Sequence, residues 1–275
     1  MRPISQHAAR AAVLTLAVLV ACRSSSSSPA ATPTPVPAAV VTRTNYTTGE
    51  EVIGAMRARY AGKWYSTLTF TQKTSRLQAD GKWNVQTWYE AMRVPGQLRI
   101  DFDPISAGNG VLYERDSAFT IQNGRPLRGQ PSINPLLLLG FDVYANATAR
   151  TVALLRKEGY DLARVHADTF QNRAMVVVGA RQGDLRRKQF WIDAEHLYFV
   201  RSLEPAPRDS TRMQDVRFTK YERSGSGWIS PRVEIHIDGK LVFHEDYSDI
   251  RSNVPLDVAL FDPAQWKTVK HWLTP

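Results

Sequence analysis

Residues 64–103 read WYSTLTFTQKTSRLQADGKWNVQTWYEAMRVPGQLRIDFD, and the period of this stretch decides the fold. In Trp64–Thr74 the side chains of Trp64, Leu68 and Phe70 share one face, with the small Ser66 between them. Asp80-Gly81 is a hairpin signal, after which Trp83–Arg93 returns as a second long strand. Pro95-Gly96 then turns the chain into Gln97–Asp103, where Leu98, Ile100 and Phe102 alternate with Gln97, Arg99 and Asp101. A period of two over three successive segments predicts an antiparallel meander with one face buried.

Working outward, Thr48 followed three residues later by Glu51 forms a capping box, and Val52, Met56 and Tyr60 fall at helical spacing, with Ile53 widening the stripe and Gly62 as the stop. Downstream, Gly110–Glu114 and Ala118–Gln122 read as a hairpin closed by Asn123-Gly124. The middle breaks the strand pattern. Leu136–Leu139 follow a proline, and Asn146 is placed to cap a helix over Thr148–Glu158 with Val152 and Leu155 on its apolar side. Strands resume over Ala174–Ala180, Arg187–Asp193, Leu197–Leu203, Arg212–Arg223, Trp228–Ile237 and Lys240–Tyr247, and Pro255–Trp266 reads as a short helical or irregular clasp. The fold class is therefore α+β and mostly β: a large, strongly curved antiparallel sheet with one face under a few helices. Bulky pairs such as Trp88-Tyr89 and Phe190-Trp191 put aromatics on both faces, so the second face meets another layer or an apolar cavity.

The chain has 275 residues, 43% hydrophobic and 22% charged, which suits a folded body. Its single cysteine, Cys22, excludes a disulfide framework and a cysteine zinc cage. Residues 1–21 have the layout of a secretory signal peptide: Arg2 and Arg10, then the apolar stretch Ala11–Ala21, shorter than the roughly 20 residues a membrane span needs. Leu19-Val20-Ala21-Cys22 resembles the bacterial lipobox, which implies diacylation of Cys22, a membrane anchor through that lipid, and export. Under the same resemblance, Arg23 in place of aspartate favours the outer membrane. Removing Arg2 and Arg10 lowers the net charge from +9 to +7, and in the envelope that charge meets no nucleic acid. Residues 22–44, with the run Ser24–Ser28 and four prolines, form a tether reaching roughly 25 Å if coiled and about 60 Å if extended. Residues 45–275 form a single folded domain.

Other chemistry finds little support. Pairing around Asp238-Gly239 sets His236 opposite Leu241 and His244 opposite Val233, on opposite faces, so they share no ion. His166 and Asp168 lack a third ligand. There is no Gly-x-Ser-x-Gly elbow, the carboxylates Asp101, Asp103, Glu114 and Asp116 match a wet strand face, and Gly108-Asn109-Gly110 is no phosphate loop. No catalytic residue, metal or cofactor is assigned. Arg181, Arg186, Arg187 and Lys188 bracket a turn, as a solvated hairpin or a contact for anionic head groups.

The body resembles the bacterial outer-membrane lipoprotein-sorting family, the LolA-like and LolB-like superfamily. Phe70-Thr71-Gln72-Lys73 is similar to its Phe-x-Gln strand, Met92–Asp101 to its Arg-Pro-Gly stretch, Phe190–Asp193 with Val200-Arg201 to a later strand pair, and Tyr247–Ile250, Asn253–Leu256 and Phe261–Pro263 to its C-terminal strand and clasp. The resemblance implies an unclosed β-barrel lidded by helices around a cavity for acyl chains. The family's arginine before proline is Val94 here, so its lid latch does not transfer. The candidate lid or cavity residues are Leu136, Leu137, Leu138, Leu139, Val152, Leu155, Trp64, Leu68, Phe70, Leu98, Ile100 and Phe102. The alternative for the leucine run is a core-packing insert. The expected function is binding of lipid or lipoprotein acyl chains in transfer at the outer membrane. A regulatory or assembly lipoprotein with a periplasmic protein partner is the second class, and an enzyme the third.

Overall fold

In the computed structural model residues 45–273 are described. The signal segment, the tether and Cys22 lie outside the described residues. Helix α1 (Gly49–Tyr60) starts where the capping box places it: the Thr48 hydroxyl accepts from the Glu51 backbone N–H, and the Glu51 carboxylate accepts from the Thr48 N–H. Its stripe of Val52, Ile53, Met56 and Tyr60 is buried.

The first meander is β1 (Thr67–Leu77), β2 (Trp83–Arg93), β3 (Gln97–Phe102), β4 (Gly110–Glu114) and β5 (Ser117–Gln122), with the short β6 (Arg125–Pro126) and β7 (Gln130–Pro131) beside β5. The insert holds α2 (Pro135–Gly140), a 3₁₀ turn over Asp142–Tyr144, and α3 (Thr148–Lys157). The second meander is β8 (Val165–Phe170), β9 (Arg173–Val178), β10 (Gln189–Asp193), β11 (Phe199–Ala206) and β12 (Asp209–Thr219). A hairpin of β13 (Glu222–Ser224) and β14 (Gly227–Ile229) forms a separate two-stranded sheet before β15 (Arg232–Ile237) and β16 (Lys240–Ser252).

The long β16 pairs antiparallel with β1 and so joins the two meanders. One 14-stranded sheet results, in the order β6-β5-β4-β3-β2-β1-β16-β15-β12-β11-β10-β9-β8, with β7 on β5. The ends of that path, β6 and β8, do not pair with each other, and the barrel is unclosed. Helices α1, α2 and α3 cover its inner face.

Three apolar clusters hold this together. The largest joins α1, α3, Leu138 and Leu139 of α2, and inward residues of β9 to β12. A second gathers Leu68, Phe70, Met92, Leu98, Leu137 and Phe141. The third lies on the outer face, where the clasp residues Leu260, Phe261 and Trp266 cover Ala91, Leu112 and Ile121.

Several expectations need correction. The β4–β5 turn is Arg115-Asp116, with Arg115 at φ 54°, and Asn123-Gly124 instead turns β5 into β6. Ala147, not Asn146, is the N-cap of α3, and it makes no side-chain cap bond. The expected strands Arg212–Arg223 and Trp228–Ile237 are each broken, the first at Lys220, whose φ of 59° leaves the strand region, the second at Pro231, which lacks an N–H for the ladder. The last strand continues beyond Tyr247 to Ser252 through a bulge at Asp249 (φ 53°).

Candidate functional site

Helix α2 begins on Pro135, with the Asn134 side chain accepting from the backbone N–H groups of Leu136 and Leu137 at 3.0 and 3.2 Å. This fixes how the leucine run faces. Leu136 and Leu137 look onto a cavity of about 200 Å³ between α2 and the sheet, while Leu138 and Leu139 turn into the main core. The cavity floor comes from alternate residues of the strands: Phe70 and Gln72 of β1, Trp88, Glu90 and Met92 of β2, Leu98 and Ile100 of β3, and Tyr113 of β4. The second meander closes the other side with Phe218, Val233, Ile235, Glu245 and Tyr247.

Of the twelve candidates, Phe70, Leu98, Ile100, Leu136 and Leu137 line the cavity. Leu68 is fully buried one position beyond it, and Phe102 sits beside the lining Trp88 with ring centroids 4.9 Å apart. The other five do not line it. Leu138, Leu139, Val152 and Leu155 are core, and Trp64 stacks on Tyr144 at 3.7 Å. One face of α2 thus roofs the cavity, and α3 packs elsewhere because its apolar stripe faces α1 and the main core.

Of the lining residues the sequence reading missed, two are acidic, and the local signal existed only for the first. The hairpin register pairs Phe70 with Glu90, which sets a glutamate in the middle of the apolar row. Glu245 pairs with Thr74 of β1 and Val233 of β15, and only the β1–β16 pairing brings it into the same cavity lining as Glu90.

These two carboxyls dominate the electrostatics. Burial, reinforced by the charge of Glu245, pushes Glu90 well above the ordinary glutamate range. Burial raises Glu245 to about 7, against the hydrogen bonds from Tyr247 and Gln72 that favour its charge; the Tyr247 hydroxyl donates to Glu245 Oε2 at 2.7 Å. Behind α2, Asp142 Oδ1 accepts from the Gly96 backbone N–H at 2.8 Å, tying the segment after the helix to the β2–β3 turn. Burial raises that carboxyl to about 7, with the Gly96 bond acting in the opposite sense. The residue preceding the proline, Val94, packs in the second apolar cluster.

The outer face is built differently. Arg99 holds Asp101 with two bonds of 2.8 and 2.9 Å and lies 3.8 Å over the Trp266 ring. Arg201 holds Asp215 with two bonds of 2.8 Å, and Arg217 adds another at 2.7 Å. The histidine expectation needs revision here. A bulge between Ile235 and His236 sets His244 opposite Glu234, not Val233, so both histidines lie on the same face. They sit among ion pairs, with His244 Nδ1 3.1 Å from Asp246 and His236 Nε2 3.8 Å from Glu234. Among the described residues no group of three His, Cys, Asp or Glu is placed to hold a metal ion, and no helix is long and apolar enough to cross a membrane. Arg181, Arg186, Arg187 and Lys188 line an open groove, where Lys188 stands 3.2 Å from Glu204 and 3.8 Å from Glu158.

An unclosed antiparallel barrel with helices on its inner face and a small cavity under one of them is a fold this chain shares with an outer-membrane lipoprotein-sorting domain of known structure. Among solved structures it is similar to a DUF1329 family protein from Desulfovibrio piger (13% identity, TM-score 0.54, covering 80% of this chain and 98% of that one). It is also similar to a putative outer membrane lipoprotein-sorting protein domain from Vibrio parahaemolyticus (12% identity, TM-score 0.53, covering 79% and 97%). A LolA superfamily protein from Nitrosomonas europaea aligns at 10% identity and TM-score 0.48 over 76% of this chain and 96% of that one. No family model matches the sequence, and no curated protein matches it.

Proposed function

We propose that this chain is an exported bacterial envelope protein, anchored through a lipid on Cys22, whose cavity under α2 takes acyl chains of a lipid or lipoprotein in transfer at the outer membrane. The observation that carries this reading is the cavity itself, a largely apolar space roofed by a short helix. The fold shared with a lipoprotein-sorting domain and the lipobox-like Leu19–Cys22 support it. At about 200 Å³ the space is smaller than the roughly 300–1,000 Å³ of sites that enclose drug-sized ligands. A long acyl chain therefore requires α2 to move away from the sheet, and the Asp142–Gly96 bond is the tie that resists it.

Native mass spectrometry of protein purified gently from bacterial membranes tests the reading. Co-purifying acyl-bearing mass, together with lipid mass on Cys22, is the expected result. Protein that carries no lipid and binds neither a fluorescent fatty acid nor an uncharged or amine-headed alkyl probe at any concentration below micelle formation would overturn the cavity function. Mature protein with an unmodified Cys22 thiol would overturn the anchor.

A further inference from the structure

The cavity is not a plain apolar slot. Glu90 is 5% exposed, and among the described residues no side chain or backbone group hydrogen-bonds or ion-pairs with its carboxylate. Glu245, which shares the cavity with it, receives the Tyr247 hydroxyl but no cation. On the outer face of the sheet the buried carboxylates each have a guanidinium: Arg99 for Asp101, Arg201 and Arg217 for Asp215, and Arg173 for Asp193. Among the described residues no Lys, Arg or His lines the cavity. Two acids left without a counter-charge in an apolar enclosure are costly to ionise, and a group that arrives with a positive charge and N–H donors removes that cost.

From these observations we infer that the cavity binds an amphiphile whose primary ammonium head seats between Glu90 and Glu245 while its alkyl chain lies against Phe70, Met92, Leu98 and Leu137. This deepens the acyl-binding reading and rests on it. A bare divalent cation is not the occupant argued for, because only two acids meet here and, among the described residues, no group of three His, Cys, Asp or Glu is placed to hold a metal ion. An ammonium needs three acceptors; Glu90, Glu245 and the amide oxygen of Gln72, which also lines the cavity, offer them. A free fatty acid would bring a third carboxylate next to two. The titratable groups facing the site are Glu90 from β2, Glu245 and Tyr247 from β16 and Tyr113 from β4; β1 and the α2 cap add the neutral Gln72 and Asn134, while β3, β12, β15 and α2 itself add only apolar side chains.

The test measures binding of three eight-carbon probes, octylamine, octanol and octanoate, to the full-length protein by calorimetry. At pH 8 octylamine should bind on the order of tenfold or more tightly than octanol, and octanoate weakest. Lowering the pH to 5, below the value of about 7 to which burial raises Glu245, should erase the advantage of the amine and leave octanol unchanged. Glu90→Gln and Glu245→Gln, near-isosteric changes, should each remove most of the preference while retaining octanol affinity, and retained octanol binding also certifies the folded cavity. Equal binding of amine and alcohol at pH 8, or a preference that survives both substitutions, overturns the head-group assignment and leaves the acyl-binding reading standing. Failure of all three probes, with a fluorescent fatty acid also unbound, overturns both. An aminolipid head group and the free N-terminal amine of an acylated peptide present the same ammonium. Competition by a short-chain phosphatidylethanolamine and by a diacylated lipopeptide, each against its N-acetylated form, distinguishes the two sources, and a preference for either N-acetylated form counts against the inference.

Discussion

Asp215 on the outer face and Glu90 in the cavity are almost equally buried, 6% and 5% exposed, yet the protein treats them in opposite ways. Burial alone would raise Asp215, but hydrogen bonds and charge from Arg201 and Arg217 outweigh it and hold the carboxyl below the ordinary aspartate range. Glu90 receives no such help and is raised, by burial first and by Glu245 second. The outer face also places aromatic rings over its cations: Arg201 lies 4.6 Å over Phe170 and 4.9 Å over Trp191. The difference separates a region built to be complete from one left incomplete. On the outer face Asp101, Asp193 and Asp215 each have a cation, whereas among the described residues no cation lines the cavity that holds Glu90 and Glu245.

The sharpest break in this comparison is on the complete side. Arg99→Met leaves Asp101, which is 1% exposed, with only His271 Nε2 at 3.4 Å beside its carboxylate, and should cost about 3–5 kcal/mol in chemical denaturation. A loss below about 1 kcal/mol would show that the clasp does not depend on the pair.

Next in size is the division within the leucine run. Leu139→Ala should cost about 2–5 kcal/mol of stability and leave acyl-probe affinity nearly unchanged, since Leu139 is fully buried in the main core. Leu136→Ser, at the half-buried cavity position, should do the reverse, weakening a fluorescent fatty acid several-fold at a stability cost of about 1 kcal/mol. Paired melting and binding curves on the two variants check it; identical profiles would erase the distinction between roof and core.

A smaller effect sharpens the comparison through pH. Native Glu245 and Asp142 hold their protons up to about 7, whereas the unfolded chain releases them near about 4. The native state thus binds more protons in that window, so these groups contribute stability that is present below about pH 4 and lost as pH rises towards 7. Asp215 acts with the opposite sign, contributing above the ordinary aspartate range and losing it as pH falls below. Glu245→Gln should therefore flatten the decline between about pH 5 and 7 and stabilise the protein at pH 8, read by urea midpoints at each pH. A variant whose pH profile matches wild type would place the Glu245 carboxyl in a wetter setting than the cavity provides.

The smallest expected change is a control. Arg212 and Asp238 pair at 2.8 Å across the surface with both side chains about half exposed, and Arg212→Ala should cost under about 1 kcal/mol. A larger loss would mean that exposed ion pairs on the outer face act as a network with the buried ones.

Much of this architecture is written in the order of the residues. The capping box Thr48–Glu51 and the stripe Val52, Ile53, Met56 and Tyr60 determine α1, because capping and helical period are local properties of the chain. The alternation in residues 64–103 determines β1 to β3 and which side of β3 holds Leu98 and Ile100, because side chains of a strand can only alternate. Bulges and left-handed turns at Arg115, Lys220 and Asp249 were not legible, since a residue adopts those backbone angles under the pull of its neighbours in space. That pull also decided the site. Leu136 to Leu139 are identical in composition, and only the tilt of α2 against two clusters separates the pair facing the cavity from the pair in the core. Glu90 and Glu245 stand 155 residues apart in sequence, and nothing local relates them. They share one cavity because β16 returns to lie beside β1, and among the described residues the other lining side chains are apolar or neutral, a property of long-range register that no single stretch of sequence contains.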